Sequence, residues 1–285
     1  MLIPILRLLA RLPLRWFHAL GGALGWAAYL SSKVYAQRLR KNLLQSKVWS
    51  SSKEYEGLLK QCIAETGRGA LEMIPVWFRP PEEAARWIKR FTGLEEVIAL
   101  HKARRGVIVL TPHLGCFEAA AAELARFVPL TVLYKKPKMA WLERLIAAGR
   151  AQGQEKLAPA DLSGVRALYR ALRNGEAIGI LPDQAPGAGE GVWAEFFGRP
   201  AYTMSLVGRL IEATGAPVYI AFCRRLPRGE GYEVELIRVE EDLRGESGIL
   251  AMNRVIERTV RRCPAQYLWS YNRYKHPAGA PLPPE

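Results

Sequence analysis

The pattern of hydrophobic and polar positions divides the chain into an apolar start, a helical stretch and an alternating half. Residues 1–30 are mostly apolar. The helical stretch is predicted over about Glu54–Phe78 and ends at Arg79-Pro80-Pro81, and a second helix is predicted over Glu82–Lys89. Beyond Gly93, short apolar runs of strand length alternate with segments of helical periodicity.

The alternating half predicts an α/β fold. Its predicted strands are Gly106–Leu110, Leu130–Tyr134, Ala177–Leu181, Pro217–Phe222 and the segment around Tyr232, Val234 and Leu236. Its predicted helices are Cys116–Phe127, Met139–Ala151, Asp161–Arg173 with Asp161 as N-cap, Thr203–Thr214 stopped by Gly215, and Ser247–Arg262. Such alternation builds a mostly parallel or mixed central sheet flanked by helices. The last strand alternates with charged residues, so we expect it at the sheet edge.

The apolar start predicts a membrane anchor. The run Trp16–Leu30 is edged with aromatic residues, and Arg7, Arg11 and Arg15 recur every four residues, which places them on one helical stripe. The run has 15 residues, whereas a spanning helix needs roughly 20. We therefore interpret residues 1–30 as an interfacial anchor. The alternatives are a tilted single span, a cleaved signal peptide and an ordinary buried helix, and the basic residues after position 36 disfavour cleavage.

Charge is distributed unevenly. The net charge is +14, and nine Lys or Arg residues but no acidic residue precede Glu54. This asymmetry indicates a polyanionic partner, and the neighbouring aromatic residues favour an anionic membrane surface. We predict no nucleic-acid partner, because the sequence has no recognition-helix or stacking motif.

The chain of 285 residues suits one large domain. We divide it into the anchor (1–30), a catalytic domain (31–277) and a Pro-rich tail (278–285). The cysteines lack metal-ligand spacing and are interpreted as reduced, buried packing residues. They are Cys62, Cys116, Cys223 and Cys263.

Candidate chemistry begins after the first strand of the alternating half, in the segment 111–118 (TPHLGCFE). On one continuous helix, His113 and Glu118 would lie about 140° apart. They can meet only if His113 precedes the first turn, which Pro112 and Gly115 permit. Glu118 would then accept the Nδ1 proton and leave Nε2 free as a base. The alternative is a helix-capping His113 and a solvated Glu118 in the first turn.

Cys116 and the glycines of 187–191 invite other interpretations. Cys116 could be an acylated nucleophile with His113 as its base, but a cysteine in an Ala-rich helix is more often a packing residue. The glycines of 187–191 lack the Gly-Lys-Ser/Thr ending of a P-loop, and we interpret them as a flap near the acceptor.

The His-x4-Glu element resembles the His-x4-acid motif of glycerolipid acyltransferases. A more specific likeness lies in Asp183-Gln184 followed by Phe196–Ala201 (FFGRPA), which resembles the late (secondary) acyltransferases of lipid A biosynthesis, the lauroyl/myristoyl transferase family. The segments Tyr134–Pro137 and Gln266–Lys275 share this resemblance, which extends from the anchor to about residue 277.

This resemblance implies a glycerolipid-acyltransferase-like fold and an enzyme at the cytoplasmic face of the bacterial inner membrane. The implied donor is acyl-acyl carrier protein, and the implied acceptor is a hydroxyl of a Kdo-bearing lipid A precursor, an anionic glycolipid. The alternative acceptors are a lysophospholipid, a glycosylated phosphoinositide or an ornithine lipid. A membrane-bound binding protein without catalysis is a further alternative, against which the intact His113 and Glu118 argue.

The resemblance also implies roles for individual residues. His113 and Glu118 match the catalytic His and acid, and Asp183 matches the acid of the third loop. Lys135 matches a basic substrate-binding residue that is Arg in many members. Lys135 differs from Arg in its chemistry, because Lys presents a point charge rather than a bidentate fork.

The residues fit acyl transfer on chemical grounds. A hydroxyl needs a general base to attack a thioester, and His suits that task near neutral pH. The oxyanion that forms would be stabilised by backbone N–H groups at the helix start near Gly115 or by a cation such as Lys135. Acyl transfer of this kind needs no metal or redox cofactor. Arg199 is a candidate for a phosphate or sugar-acid contact, with pairing to Glu190 or Glu195 as the structural alternative.

Overall fold

The computed structural model describes residues 2–137, 139–150 and 155–283, and a seven-stranded mixed sheet lies at its centre. Its strands, in spatial order, are β1 (Ile88–Thr92), β9 (Tyr232–Arg238), β8 (Val218–Arg225), β2 (Val107–Leu110), β5 (Ala177–Ile180), β3 (Leu130–Tyr134) and β4 (Glu155–Pro159). Neighbouring strands are parallel except for the antiparallel pair β8 and β9. A separate antiparallel ribbon is formed by β6 (Gly191–Phe196) and β7 (Arg199–Met204).

Twelve α-helices surround the sheet in the described residues. They are α1 (Leu2–Leu9), α2 (Leu14–Ser31), α3 (Lys33–Ser46), α4 (Ser52–Leu71), α5 (Met73–Phe78), α6 (Pro81–Ala85), α7 (Leu94–Lys102), α8 (Phe117–Leu124), α9 (Ala140–Arg150), α10 (Leu162–Arg173), α11 (Leu206–Thr214) and α12 (Gly245–Arg262).

Helices cover the central strands on both faces of the sheet. All four residues of β2 and of β5 are buried, which is typical of parallel strands that are covered on both faces. Ile108 and Leu110 pack with α10 and α12 in one core cluster, whereas Val107 and Val109 pack with α8 in another. The predicted α/β fold with a mostly parallel, mixed sheet flanked by helices is therefore confirmed.

The edge of the sheet differs from the prediction. The segment predicted as a helix over Glu82–Lys89 forms only the short α6, and β1 then pairs in parallel with β9. Consequently β9 is not an edge strand. Its alternating charges are accommodated by ion pairs, since Glu233 pairs with Arg224 and Glu235 pairs with Arg262.

Several predicted elements need adjustment. The helix predicted over Glu54–Phe78 is interrupted at Glu72, which is buried between α4 and α5. The prediction from the sequence did not include α7, β4 or the β6–β7 ribbon. Asp161 caps α10 as predicted, and Gly215 ends α11 in a left-handed conformation (φ 63°). The last residue of the helix predicted over Met139–Ala151 lies outside the described residues.

The second helix, α2, packs closely against α4. Glycine allows this approach: a Cβ on Gly67 would lie 2.0 Å from the carbonyl oxygen of Gly21, and one on Gly25 would lie 2.2 Å from that of Ile63. Large apolar side chains cover the opposite, exposed side of α1 and α2, so these helices are not fully buried. They include Leu2, Ile5, Leu8, Leu9, Trp16, Leu20, Leu24 and Leu30.

Within the described residues, no helix combines the length and the apolar character that crossing a bilayer would require. The interfacial anchor stays a prediction.

Candidate active site

His113 and Asp183 meet at the carboxyl ends of two neighbouring strands. Leu110 of β2 lies opposite Ile180 of β5, and each functional residue comes three positions later in the chain. The Nδ1 atom of His113 lies 2.8 Å from Oδ1 of Asp183, and the backbone N–H of His113 donates to Oδ2 at 2.9 Å. The carboxylate therefore holds both the ring and the backbone of the histidine.

The second ring nitrogen of His113 faces Gln184. The Gln184 amide nitrogen lies 3.1 Å from Nε2. If Nδ1 donates to Asp183, then Nε2 is the acceptor of this contact and is the nitrogen available to take a proton. Burial raises the pKa of Asp183, but the facing His113 more than offsets this and the net pKa lies below its ordinary value. The ionised carboxylate fixes the tautomer that a base requires.

The turn between β2 and α8 is held in place by the rest of the domain. Gly115 has φ 64°, and a Cβ there would lie 1.7 Å from the carbonyl oxygen of Cys223. The N–H of Gly115 donates to Gln266 at 3.1 Å, and the N–H of Leu268 donates to the carbonyl of His113 at 3.0 Å. The C-terminal segment thus clamps the histidine loop from outside the sheet.

Three backbone N–H groups of the turn that precedes α8 are engaged in bonds within the protein. That of Leu114 donates to Pro112 and that of Cys116 donates to Cys223, in addition to the Gly115 bond to Gln266. The pinned turn therefore leaves no free donor among residues 114–116 of the described chain.

The sequence predicted that Glu118 accepts the Nδ1 proton of His113, but in the structure Asp183 lies at Nδ1 instead. Arg150 holds the Glu118 carboxylate through two nitrogens, with Nε at 2.9 Å from Oε2, and the indole N–H of Trp77 donates to Oε2 at 2.8 Å. The geometric reason is that Asp183 already occupies Nδ1, while the first turn of α8 directs Glu118 towards α5 and α9. Glu118 is buried, so the alternative of a solvated acid is also wrong.

Two cavities meet at the Glu118–Arg150 pair. One lies between α8 and the sheet, with apolar walls that include Leu124, Val132 and Gly179. The other lies on the far side of α8, against α5 and α6. Phe117 lines the first cavity, and its ring centroid lies 5.1 Å from that of His113. The Phe117 ring therefore lies between the apolar cavity and His113.

The other predicted residues do not join His113. Lys135 follows β3 and is exposed. Arg199 donates to Gln45 and stacks over the ring of Tyr274 at 3.8 Å, rather than pairing with Glu190 or Glu195 as the structural alternative predicted.

Cys116 fits the packing interpretation. It is buried in a core cluster, and burial raises the pKa of its thiol well above the ordinary value. A buried thiol of this kind is a poor nucleophile, because the reactive form is the thiolate.

The sequence reading missed three residues at this site, namely Gln184, Arg150 and Trp77. Gln184 lies inside a quoted motif, and its position next to Asp183 was the available signal. Trp77 and Arg150 reach Glu118 from 41 and 32 positions away along the chain. No local pattern pairs them with it.

Comparison with known proteins shows the family of this chain. Residues 1–276 match the family model of the bacterial lipid A biosynthesis acyltransferases. The chain belongs to this family. It is 26% identical over 289 residues to the lipid A biosynthesis lauroyltransferase of Escherichia coli K12, with 98% of this chain and 92% of that protein covered.

Further members of the family show the same level of similarity. The chain is 26% identical over 274 residues to the lipid A biosynthesis palmitoleoyltransferase of E. coli K12, covering 95% of this chain and 89% of that one. It is also 26% identical over 272 residues to a lipid A biosynthesis acyltransferase of Haemophilus influenzae, covering 93% and 83%. The protein is thus an acyltransferase of lipid A biosynthesis.

Proposed function

We propose that this lipid A acyltransferase moves a fatty acyl chain from acyl-acyl carrier protein to a hydroxyl of a Kdo-bearing lipid A precursor, with His113 as general base. The observation that carries the proposal is the contact of His113 Nδ1 with the buried carboxylate of Asp183, which leaves Nε2 for the substrate. The cavity beside Phe117 is apolar, as a hydrocarbon chain requires.

The first step is attack on the thioester. Nε2 takes the proton of the acceptor hydroxyl as the oxygen bonds to the thioester carbon, and Asp183 stabilises the imidazolium that forms. The tetrahedral intermediate then collapses, the C–S bond breaks, and the proton leaves with the thiol of the carrier protein. Gln184 lies at Nε2 where the hydroxyl must approach, so its side chain moves aside when the acceptor binds.

In this mechanism Glu118 is a positioning residue rather than the partner of His113. Its carboxylate is bound by Arg150 and Trp77, which ties the first turn of α8 to α9 and α5. The helix start that follows the histidine loop is thereby fixed. The role proposed for Lys135 and Arg199, binding anionic groups of the two substrates, rests on their charge.

We further propose that the enzyme acts at the cytoplasmic face of the inner membrane. The exposed apolar side of α1 and α2 lies beside Arg7, Arg11 and Arg15, which are also exposed. Apolar side chains bordered by basic residues are typical of helices that lie on anionic lipid.

The test is an assay of purified protein in detergent with acyl-acyl carrier protein and a radiolabelled Kdo-bearing lipid A precursor. We expect the wild type to transfer the acyl chain, His113→Ala to lose about a hundredfold or more, and His276→Ala, which alters an exposed histidine, to match the wild type. Full activity in His113→Ala would remove His113 as the base. Transfer to a lysophospholipid but not to the lipid A precursor would refute the proposed acceptor.

A further inference from the structure

Glu118, Arg150 and Glu155 form one buried group of charges. The Nε atom of Arg150 lies 2.9 Å from Oε2 of Glu118 and 3.7 Å from Oε1 of Glu155. The side chains are 4%, 12% and 3% exposed, respectively. One guanidinium therefore faces two carboxyl groups with little access to water.

Arg150 is shared unequally between the two carboxyl groups. It bonds Glu118 through two nitrogens, whereas Oε1 of Glu155 has no hydrogen-bond partner within the described residues. A buried carboxylate without a hydrogen bond is costly, so the protonated form is favoured.

The charges around Glu155 come from two helices and one strand. Burial raises the pKa of Glu155 to about 7, with Arg150 of α9 lowering it and Glu118 of α8 raising it further. Tyr134 at the end of β3 also faces Arg150. When Glu155 is neutral, the Arg150 guanidinium faces one carboxylate, that of Glu118. When Glu155 is ionised, the same guanidinium faces two carboxylates.

The three charged residues lie in the wall that separates the two cavities beside α8. Glu118, Arg150 and Glu155 line both the cavity under α8 and the cavity on its far side. A guanidinium that turns from Glu118 towards Glu155 would release the first turn of α8 and change the wall between the two cavities. The next residue towards the N-terminus of α8 is Phe117, which contacts His113.

We propose that Glu155 is a positioning residue that competes with Glu118 for Arg150, and that it does so only after losing its proton. The protonated enzyme keeps Arg150 on Glu118 and is the more active form. The inference rests on the proposed acyl transfer, since its main readout is the rate of that reaction. It predicts a wild-type kcat/KM that falls as pH rises through about 7.

The test compares pH profiles of kcat/KM between pH 5.5 and 8.5 for the wild type, Glu155→Gln and Glu176→Gln. Glutamine matches the neutral form of Glu155 in shape. Glu176 provides the matched control. Its carboxylate pairs with Lys156, which lies next to Glu155 in β4, and not with Arg150. Should Glu155→Gln fail to fold, Glu155→Met offers a neutral side chain of similar volume.

We expect the wild type and Glu176→Gln to lose about fivefold or more across the alkaline limb. Glu155→Gln should match the wild type within about twofold at low pH and lack that limb. An alkaline limb that persists in Glu155→Gln would overturn the proposal while leaving the acyl transfer intact. A wild type without any transfer would instead contradict the proposed function.

Discussion

The carboxylate of Asp183 contacts His113 twice, at Nδ1 (2.8 Å) and at the backbone N–H (2.9 Å). The two contacts fix both the tautomer of the ring and the position of the loop that carries it. The sequence predicted that Glu118, five residues later, would orient this histidine. In this structure, a residue 70 positions away holds it.

Asp183→Asn is therefore expected to lower kcat by about 10²–10⁴-fold. The amide matches the carboxylate in size but does not stabilise the imidazolium, and its NH₂ group can select the wrong tautomer. Steady-state assays would measure the loss, with Asp242→Asn as control because Asp242 is exposed and pairs with Arg244. An Asp183→Asn enzyme with wild-type kcat would show that His113 needs no partner at Nδ1.

The Glu118–Arg150 pair is expected to behave as a buried ion pair. Glu118→Gln should lower the free energy of unfolding by about 3–5 kcal/mol, because it leaves the Arg150 charge without its main partner. The double variant Glu118→Gln/Arg150→Met should recover at least half of this loss, since no unpaired guanidinium remains. Chemical denaturation in detergent at pH 6 would measure both. A double variant less stable than the single one would contradict this account.

Glu72 links α2 to the sheet and is expected to make the fold sensitive to acid. His18 Nε2 lies 3.0 Å from its carboxylate, which also pairs with Arg225. Burial raises the pKa of Glu72, but Arg225 and His18 outweigh it and lower the pKa to about 2. A lowered pKa stabilises the fold above about pH 4.5, and this contribution is lost as pH falls towards 2.

Denaturation of the wild type and Glu72→Gln at several pH values tests this linkage. The wild type should lose about 3 kcal/mol between pH 5 and pH 2 through this group. Glu72→Gln should be less stable than the wild type at pH 7, and the difference between the two should shrink below pH 4. An equal difference at pH 7 and pH 3 would mean that Glu72 does not titrate in this range.

The contact between α2 and α4 allows a comparison of two glycines on one helix. Gly67→Ala would place a methyl group 2.0 Å from the backbone of Gly21, and we expect it to destabilise the protein by about 1–3 kcal/mol. Gly57→Ala on the same helix meets no atom within 4 Å and should stabilise it by about 0.5–1 kcal/mol. Thermal unfolding distinguishes the two, and similar melting temperatures would argue against the close packing of α2.

The exposed side of α2 is expected to bind lipid. Replacing Trp16, Leu20 and Leu24 together by Gln should weaken binding to vesicles with anionic lipids about tenfold or more, because it removes apolar area from the bilayer. Leu162→Gln is the control, as this exposed leucine begins α10 and is far from the N-terminus in the chain. Vesicle co-sedimentation at two salt concentrations would show whether basic residues contribute. Equal binding of all three proteins would refute the interfacial role.

Periodicity and local signals by themselves determined most elements of the alternating half. The strands β2 and β5 are continuous apolar runs, and β3 is apolar except for Thr131. The caps at Asp161 and Gly215 follow from the properties of those two residue types. These features depend on residues a few positions apart, which a single sequence displays. The family resemblance likewise rested on short motifs, and it carried the placement of His113.

Only the tertiary structure decided which side chains meet. The order of strands in the sheet brings β2 beside β5 and so Asp183 to His113, whereas Arg150 and Trp77 reach Glu118 from separate helices. The strand β1 was missed for the same reason, since its pairing partner β9 lies about 140 residues away. Contacts of this kind depend on long-range packing and burial, and local periodicity does not record them.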